Sequence, residues 1–167
     1  GVPVEVLAEI RGLARANGAV TRLIDMGIEP FLVTSSVIAI IAQRLLRVLC
    51  PKCKEAYTPD GESLANLGID MKQLDRHPLY RKQGCAACMN TGYRGRTAIF
   101  EILILDDPLK RLILKTSDAN QIQDEAMKRG MTNLLADGAK KVLEGTTTIE
   151  EVFRVTRILK RETDIEV

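Results

Sequence analysis

Apolar residues recur at helical spacing along much of the chain. Val4, Leu7, Ile10 and Leu13 stand three apart behind Pro3, which predicts a short amphipathic helix over 3–16, broken at Asn17-Gly18. A second short helix is expected over 19–26, with Val20, Leu23 and Ile24 as its buried stripe and Gly27 as its C-terminal cap. Glu29-Pro30 turns the chain. From 31 to 49 the apolar positions are too dense for an exposed helix, with Ser35, Ser36, Gln43, Arg44 and Arg47 among the interruptions. This stretch reads as a helix buried on most sides.

After Cys50 the pattern dissolves into Pro, Gly, Lys and Asp with scattered Leu, an irregular module holding one or two short helices near 61–75. The β-branched run over 97–105 follows a Gly92…Gly95 turn and reads as a strand, with 80–83 as its hairpin partner. Beyond Asp106 the helical period returns. Leu109, Leu112 and Ile113 mark one segment. Ile122 and Met127 mark the next, behind a Ser117 or Asp118 cap, and Leu134, Leu135, Ala139 and Leu143 a third. Gly130 and Gly145 punctuate them. Thr148-Ile-Glu-Glu151 forms a capping box, its threonine hydroxyl and glutamate satisfying free amides, ahead of Val152, Val155 and Leu159. The expected fold is mainly α with a small β-hairpin.

Composition narrows the class. The 167 residues are 46% hydrophobic and 28% charged, which is globular and excludes disorder and collagen-like repeats. With no Trp and only six Phe and Tyr, the core must be built from aliphatic side chains. The net charge of +2 divides as +1 over 1–49, +3 over 50–100 and −2 over 101–167, which argues against a long basic nucleic-acid face. The longest apolar run, 37–42, is far short of the roughly 20 residues that span a bilayer, and no signal peptide is recognisable. A cytoplasmic location is expected.

The candidate chemistry lies in four cysteines. Cys50-Pro-Lys-Cys53 and Cys85-Ala-Ala-Cys88 make two C-x2-C knuckles across a 31-residue spacer. A two-residue gap lets a tight turn aim both thiolates at one point, and two knuckles supply the four sulfur ligands of a structural zinc. Four sulfurs leave no position for water, so a catalytic zinc is not expected. Lys52, Lys54 and Arg81 offset part of the negative charge of a zinc tetrathiolate. The alternatives are four reduced structural cysteines or a redox pair. His77 reads as a loop residue, and Asp106-Asp107 and Glu150-Glu151 as helix-start charges rather than paired catalytic carboxylates. Arg94 and Arg96, flanking Gly95, form a basic patch suited to a phosphate or an acidic partner surface, or else a solvated turn.

Three stretches, GAVTRLIDMGIEPFLVTSS (18–36), AQRLLRVLCPKCKEAY (42–57) and GCAACMNTGYRGRTAIFEIL (84–103), resemble the C-terminal part of the secretion ATPase superfamily. The type II secretion branch fits best, with the type IV pilus extension ATPases as near relatives. DGAKKVLEGTTTIEEVFRVT (137–156) is similar to the end of both groups. The resemblance covers about residues 18–160. It implies the C-terminal helical part of a RecA-like ATPase domain carrying a tetracysteine zinc module, with Cys50, Cys53, Cys85 and Cys88 at the family's zinc ligands. It implies a homo-hexameric cytoplasmic motor at the inner face of the bacterial inner membrane, driving pseudopilus assembly and protein export. Other subunits of the hexamer and membrane-platform or cytoplasmic-domain proteins are its implied partners, and contact with the membrane is peripheral. By this reading 18–49 are helices of the ATPase C-terminal region, 50–100 the zinc module, and 101–167 a strand and C-terminal helical bundle.

The sequence departs from the family pattern, which also has an acidic magnesium-binding strand that this chain lacks. No G-x-x-x-x-G-K-[S/T] loop occurs, so no residue here is assigned to catalysis or to a cofactor beyond zinc, and ATP and Mg2+ belong only to the full-length parent. Where the family carries Leu-His-Thr-Asn, this chain has GLARAN at 12–17, so 1–17 is read as a helical segment of uncertain origin. Gln43 and Arg44 fall in the family's Ala-Gln-Arg-Leu segment and are assigned no nucleotide contact. The expectation is a noncatalytic fragment, inactive alone, with exposed apolar surface or self-association. The competing reading is a nucleic-acid-binding zinc ribbon that uses Arg94, Arg96, Arg81, Lys82, Lys52 and Lys54, with Tyr57, Tyr80 and Tyr93 to stack on bases and Phe100 buried in the strand.

Overall fold

The computed structural model describes residues 16–74 and 78–163, and side chains as far as 156 except that of Asn17. The helix expected over 3–16, the histidine His77 and the side chain of Leu159 lie outside the described residues. The elements run α1 (Ala16–Asp25), α2 (Pro30–Ser36), β1 (Ala39–Leu49), β2 (Glu55–Tyr57), α3 (Gly61–Leu67), β3 (Leu79–Arg81), β4 (Tyr93–Ile104), α4 (Asp107–Ile113), α5 (Ala119–Lys128), α6 (Leu134–Leu143) and α7 (Ile149–Thr163). The fold is mainly helical with a small antiparallel β element and a tetracysteine cluster.

The expected helix over 31–49 is instead a short helix followed by an eleven-residue strand, α2 and β1. Its side chains alternate along β1: Leu46 is fully buried, while Ile41 and Leu45 on the other face are exposed. Apolar residues on both faces erase the period of two in the sequence, and such a strand reads like a buried helix. The hairpin also pairs differently. β4 joins β1 and β3 joins β2, so 80–83 is not the partner of 97–105. Hydrogen bonds from Leu105 N–H to Ile38 O and from Cys50 N–H to Gly92 O show β1 and β4 running antiparallel. Phe100 is exposed rather than buried, because the inward positions of β4 are Ile99, Glu101 and Leu103.

By compactness the chain divides into two units, the described residues of Gly1–Ala42 with Phe100–Asn133, and Gln43–Ile99 with those of Leu134–Val167. In the first, α1 and α4 pack on α5, and α2 packs on α1 and α4. Their core holds Val20, Val33, Leu103, Leu109, Ile113 and Ile122, all at most 2% exposed. Asn17-Gly18 do not break a helix here but lie in the first turn of α1, whose Ala16 N–H donates to the buried Glu101 carboxylate at 2.8 Å. Gly27 ends α1 as expected, with Ile28 N–H returning to Leu23 O and Gly27 N–H to Ile24 O. Asp106 caps α4 through Leu109 N–H, and Asp118, not Ser117, caps α5 through Asn120 N–H.

In the second unit α6 packs on α7, and α3 and β3 pack on α6. Thr148 caps α7, its hydroxyl accepting from Glu151 N–H at 3.2 Å. The box is not reciprocal, however. The Glu151 carboxylate accepts from the backbone N–H of Arg47 on β1, because that amide and two guanidinium groups outcompete the N-terminal amide of its own helix.

Candidate metal centre and its surroundings

The antiparallel ribbon decides where the cysteines meet. Cys50 follows the last residue of β1, and Cys85 to Cys88 form a 3-10 turn a few residues before β4 begins. Pairing the two strands through Cys50 N–H to Gly92 O therefore sets the first knuckle against the second. Lys54 N–H and Cys53 N–H both return to Cys50 O, closing the first turn; Cys88 N–H and Asn90 N–H return to Cys85 O, closing the second.

All four Sγ atoms lie within 4.8 Å of one another. Cys50 Sγ and Cys85 Sγ are 3.9 Å apart, Cys53 Sγ and Cys88 Sγ 3.8 Å, and Cys85 Sγ and Cys88 Sγ 3.8 Å. The edge of a tetrahedron with metal–sulfur bonds of 2.3 Å is about 3.8 Å. The thiols are free, as these separations are nearly twice a disulfide bond of about 2.05 Å. Two backbone amides point at Cys88 Sγ, Gly92 N–H at 3.2 Å and Cys85 N–H at 3.3 Å. Burial alone would raise the Cys88 thiol, but these donors outweigh it and hold it at about 6, while burial pushes Cys53 up to about 11. The arrangement can hold one metal ion in a closed four-sulfur shell and has amide donors in place for thiolate charge.

The neighbouring cations do not all serve the cluster. Arg81 pairs with Glu55, and Lys54 donates to Gly145 O at 3.0 Å with its ammonium 4.1 Å from the centre of the Tyr80 ring. Tyr93 is buried and its hydroxyl bonds Thr148, so it offers no face for a base. Arg94 and Arg96 are both exposed on β4, Gln43 is exposed on β1, and Arg44 beside it is half-buried. The residues that sequence reasoning missed are Glu151 as an ion-pair centre and Arg154. Arg47 and Arg154 are 107 positions apart, and nothing local in the chain shows that one carboxylate binds both.

Two knuckles on the end of an antiparallel ribbon form a tetracysteine cluster that can hold a metal ion. The sequence pattern of the family described as "Type II/IV secretion system protein" matches residues 13–154, and the chain belongs to that family. It is 49% identical over 142 residues to the Type II secretion system protein E of Pseudomonas aeruginosa, covering 85% of this chain and 28% of that protein. To the Type II secretion system ATPase E of Vibrio cholerae it is 46% identical over 142 residues, 85% of this chain and 28% of the other. To the Type IV pilus assembly ATPase PilB of Myxococcus xanthus it is 44% identical over 138 residues, 82% and 24%. The chain thus spans about a quarter of the length of these curated relatives. It is a C-terminal fragment of the type II secretion and type IV pilus ATPase family carrying a candidate metal module. Among the described residues no helix is long and apolar enough to cross a membrane.

Proposed function

We propose that this chain is the structural, noncatalytic C-terminal part of an ATPase that powers pseudopilus assembly and protein export in a type II secretion system. Cys50, Cys53, Cys85 and Cys88 hold one zinc ion, which fixes the two knuckles and leaves no open ligand position. The observation that carries this reading is the match between the Sγ separations of 3.8–3.9 Å and the edge of a zinc tetrathiolate, in a chain that belongs to the family.

The module spans 50–100, between 18–49 and 101–167, which belong to the ATPase C-terminal region. In the whole protein these parts join a homo-hexamer at the cytoplasmic face of the inner membrane and meet the platform and cytoplasmic-domain proteins of the secretion machine. Several apolar residues of the first unit are exposed, among them Phe31, Ile38, Ile41, Ile102 and Ile104. They suit packing against further segments of the longer ATPase.

Metal content by mass spectrometry on protein purified without added metal, paired with an ATP-turnover assay on the same sample, tests the proposal. One zinc per chain and no hydrolysis are expected. Four free thiols without zinc would remove the structural metal, and turnover of ATP would remove the noncatalytic assignment.

A further inference from the structure

A shallow depression of about 330 Å³ in the second unit is lined by Leu45, Arg47, Arg96 and Arg154. Beneath it Glu151, with no exposed side-chain surface, binds two of these cations. It accepts from Arg47 Nε at 3.0 Å and Nη2 at 2.6 Å, and from Arg154 Nε at 2.8 Å and Nη2 at 2.6 Å. The Arg47 guanidinium also lies 4.3 Å from the centre of the Tyr93 ring. Both groups are thus held in place while their side chains stay about half exposed. A guanidinium carries five N–H donors, so each keeps donors that Glu151 does not use. The Arg96 side chain is exposed and makes no hydrogen bond or ion pair among the described residues. Three cations against one carboxylate leave this depression with a charge of +2.

We propose that the depression binds a soluble organic phosphate through its phosphomonoester dianion. Charge and shape both point to that class. A dianion balances +2 where a single carboxylate leaves one cation uncompensated. Its three terminal oxygens accept from directions that are not confined to one plane, whereas the two oxygens of a carboxylate accept near a single plane. The depression is also larger than inorganic phosphate needs, and Leu45 supplies an apolar wall for the organic part. Because Glu151 and Tyr93 fix two of the guanidinium groups in advance, little side-chain entropy is lost on binding. The Arg94 and Arg96 pair thereby separates into two roles, since Arg94 does not line the depression.

The test is a titration of the full 167-residue chain at low ionic strength with phenyl phosphate, inorganic phosphate and a capped Asp-Glu dipeptide, followed by ¹H–¹⁵N spectra that resolve arginine Nε–H. Phenyl phosphate is expected to shift the Arg47, Arg96 and Arg154 signals and to bind more tightly than inorganic phosphate. Arg96→Ala is expected to weaken it about tenfold or more, with Arg96→Lys intermediate and Arg94→Ala unchanged. The Arg96 side chain has no hydrogen bond or ion pair to lose, and an unchanged melting temperature will show that its variants keep the fold. Equal affinity in Arg96→Ala, or an equal loss in Arg94→Ala, overturns the proposal. So does tighter binding of the dipeptide. Capture by phosphatidic acid vesicles without measurable binding of phenyl phosphate overturns it in favour of a membrane surface.

Discussion

The buried carboxylate of Glu151 accepts from both the backbone N–H and the guanidinium of Arg47, at 3.0 Å and 2.6 Å, and so ties the first turn of α7 to β1 across 104 positions of sequence. Glu151→Gln keeps the side-chain volume but removes the charge that two arginines share. Removing one partner of a fully buried pair costs about 3–5 kcal/mol. Here both guanidinium groups are about half exposed and return partly to water, so a loss of about 1–3 kcal/mol is expected. Urea denaturation at neutral pH with metal in excess measures it as a fall in midpoint at unchanged slope.

The same group makes stability depend on acid. Burial acts to raise the Glu151 carboxyl, but hydrogen bonds from Arg154 and Arg47 prevail and hold it at about 2, well below an unfolded value of about 4.3. A depressed folded value means that the stabilisation is fully present above about pH 4.3 and is lost as the pH falls toward 2. Wild type should therefore lose up to about 3 kcal/mol between pH 5 and 2 that Glu151→Gln does not lose. Comparing the two proteins separates this effect from protonation of the cysteines, which both share.

Gly138 sits in α6, where Gly→Ala ordinarily stabilises a helix by about 1 kcal/mol. The sign should reverse here. A Cβ at 138 would lie 2.5 Å from Val152 Cγ1, and Val152 on α7 is fully buried. Overpacking of this kind costs about 1–3 kcal/mol, so Gly138→Ala should melt below the parent protein. A higher melting temperature would mean that α6 and α7 do not approach so closely.

Gly92 connects backbone strain to the cluster. Its φ is +75°, its N–H donates to Cys88 Sγ, and a Cβ there would meet Lys82 Cβ at 2.6 Å. Gly92→Ala should displace that amide and lower metal affinity by about tenfold, the scale seen when an outer-shell donor is lost. Competition with a zinc-responsive chelator reads this directly. Cys88→Ser should go further and lose the metal altogether.

The exposed apolar residues of the first unit predict self-association. Ile41 is 60% exposed and Ile102 46%. Replacing both with Lys should reduce the sedimentation-averaged mass at high protein concentration and leave the melting temperature within about 1 °C, because neither side chain contributes to the buried core.

Local chemistry was legible in the sequence. Two C-x2-C spacings named the four thiols that now lie within 4.8 Å of one another, and Gly27, Asp106 and Thr148 act at the helix ends where their side chains or backbones imply. Each depends on residues a few positions apart, so its physics is contained in the sequence read locally. What the tertiary structure alone decided is longer in range. Residues 39–49 became a strand because β4 was there to pair with it, although apolar residues on both faces hid its period. That pairing set Cys50 against Gly92 and brought the knuckles together. Glu151 reached across to β1 because Arg47 there supplied both a backbone N–H and a guanidinium. The strand pairing and the tie from Glu151 to Arg47 are settled by partners tens to a hundred residues distant, and hydrophobic periodicity carries no record of them.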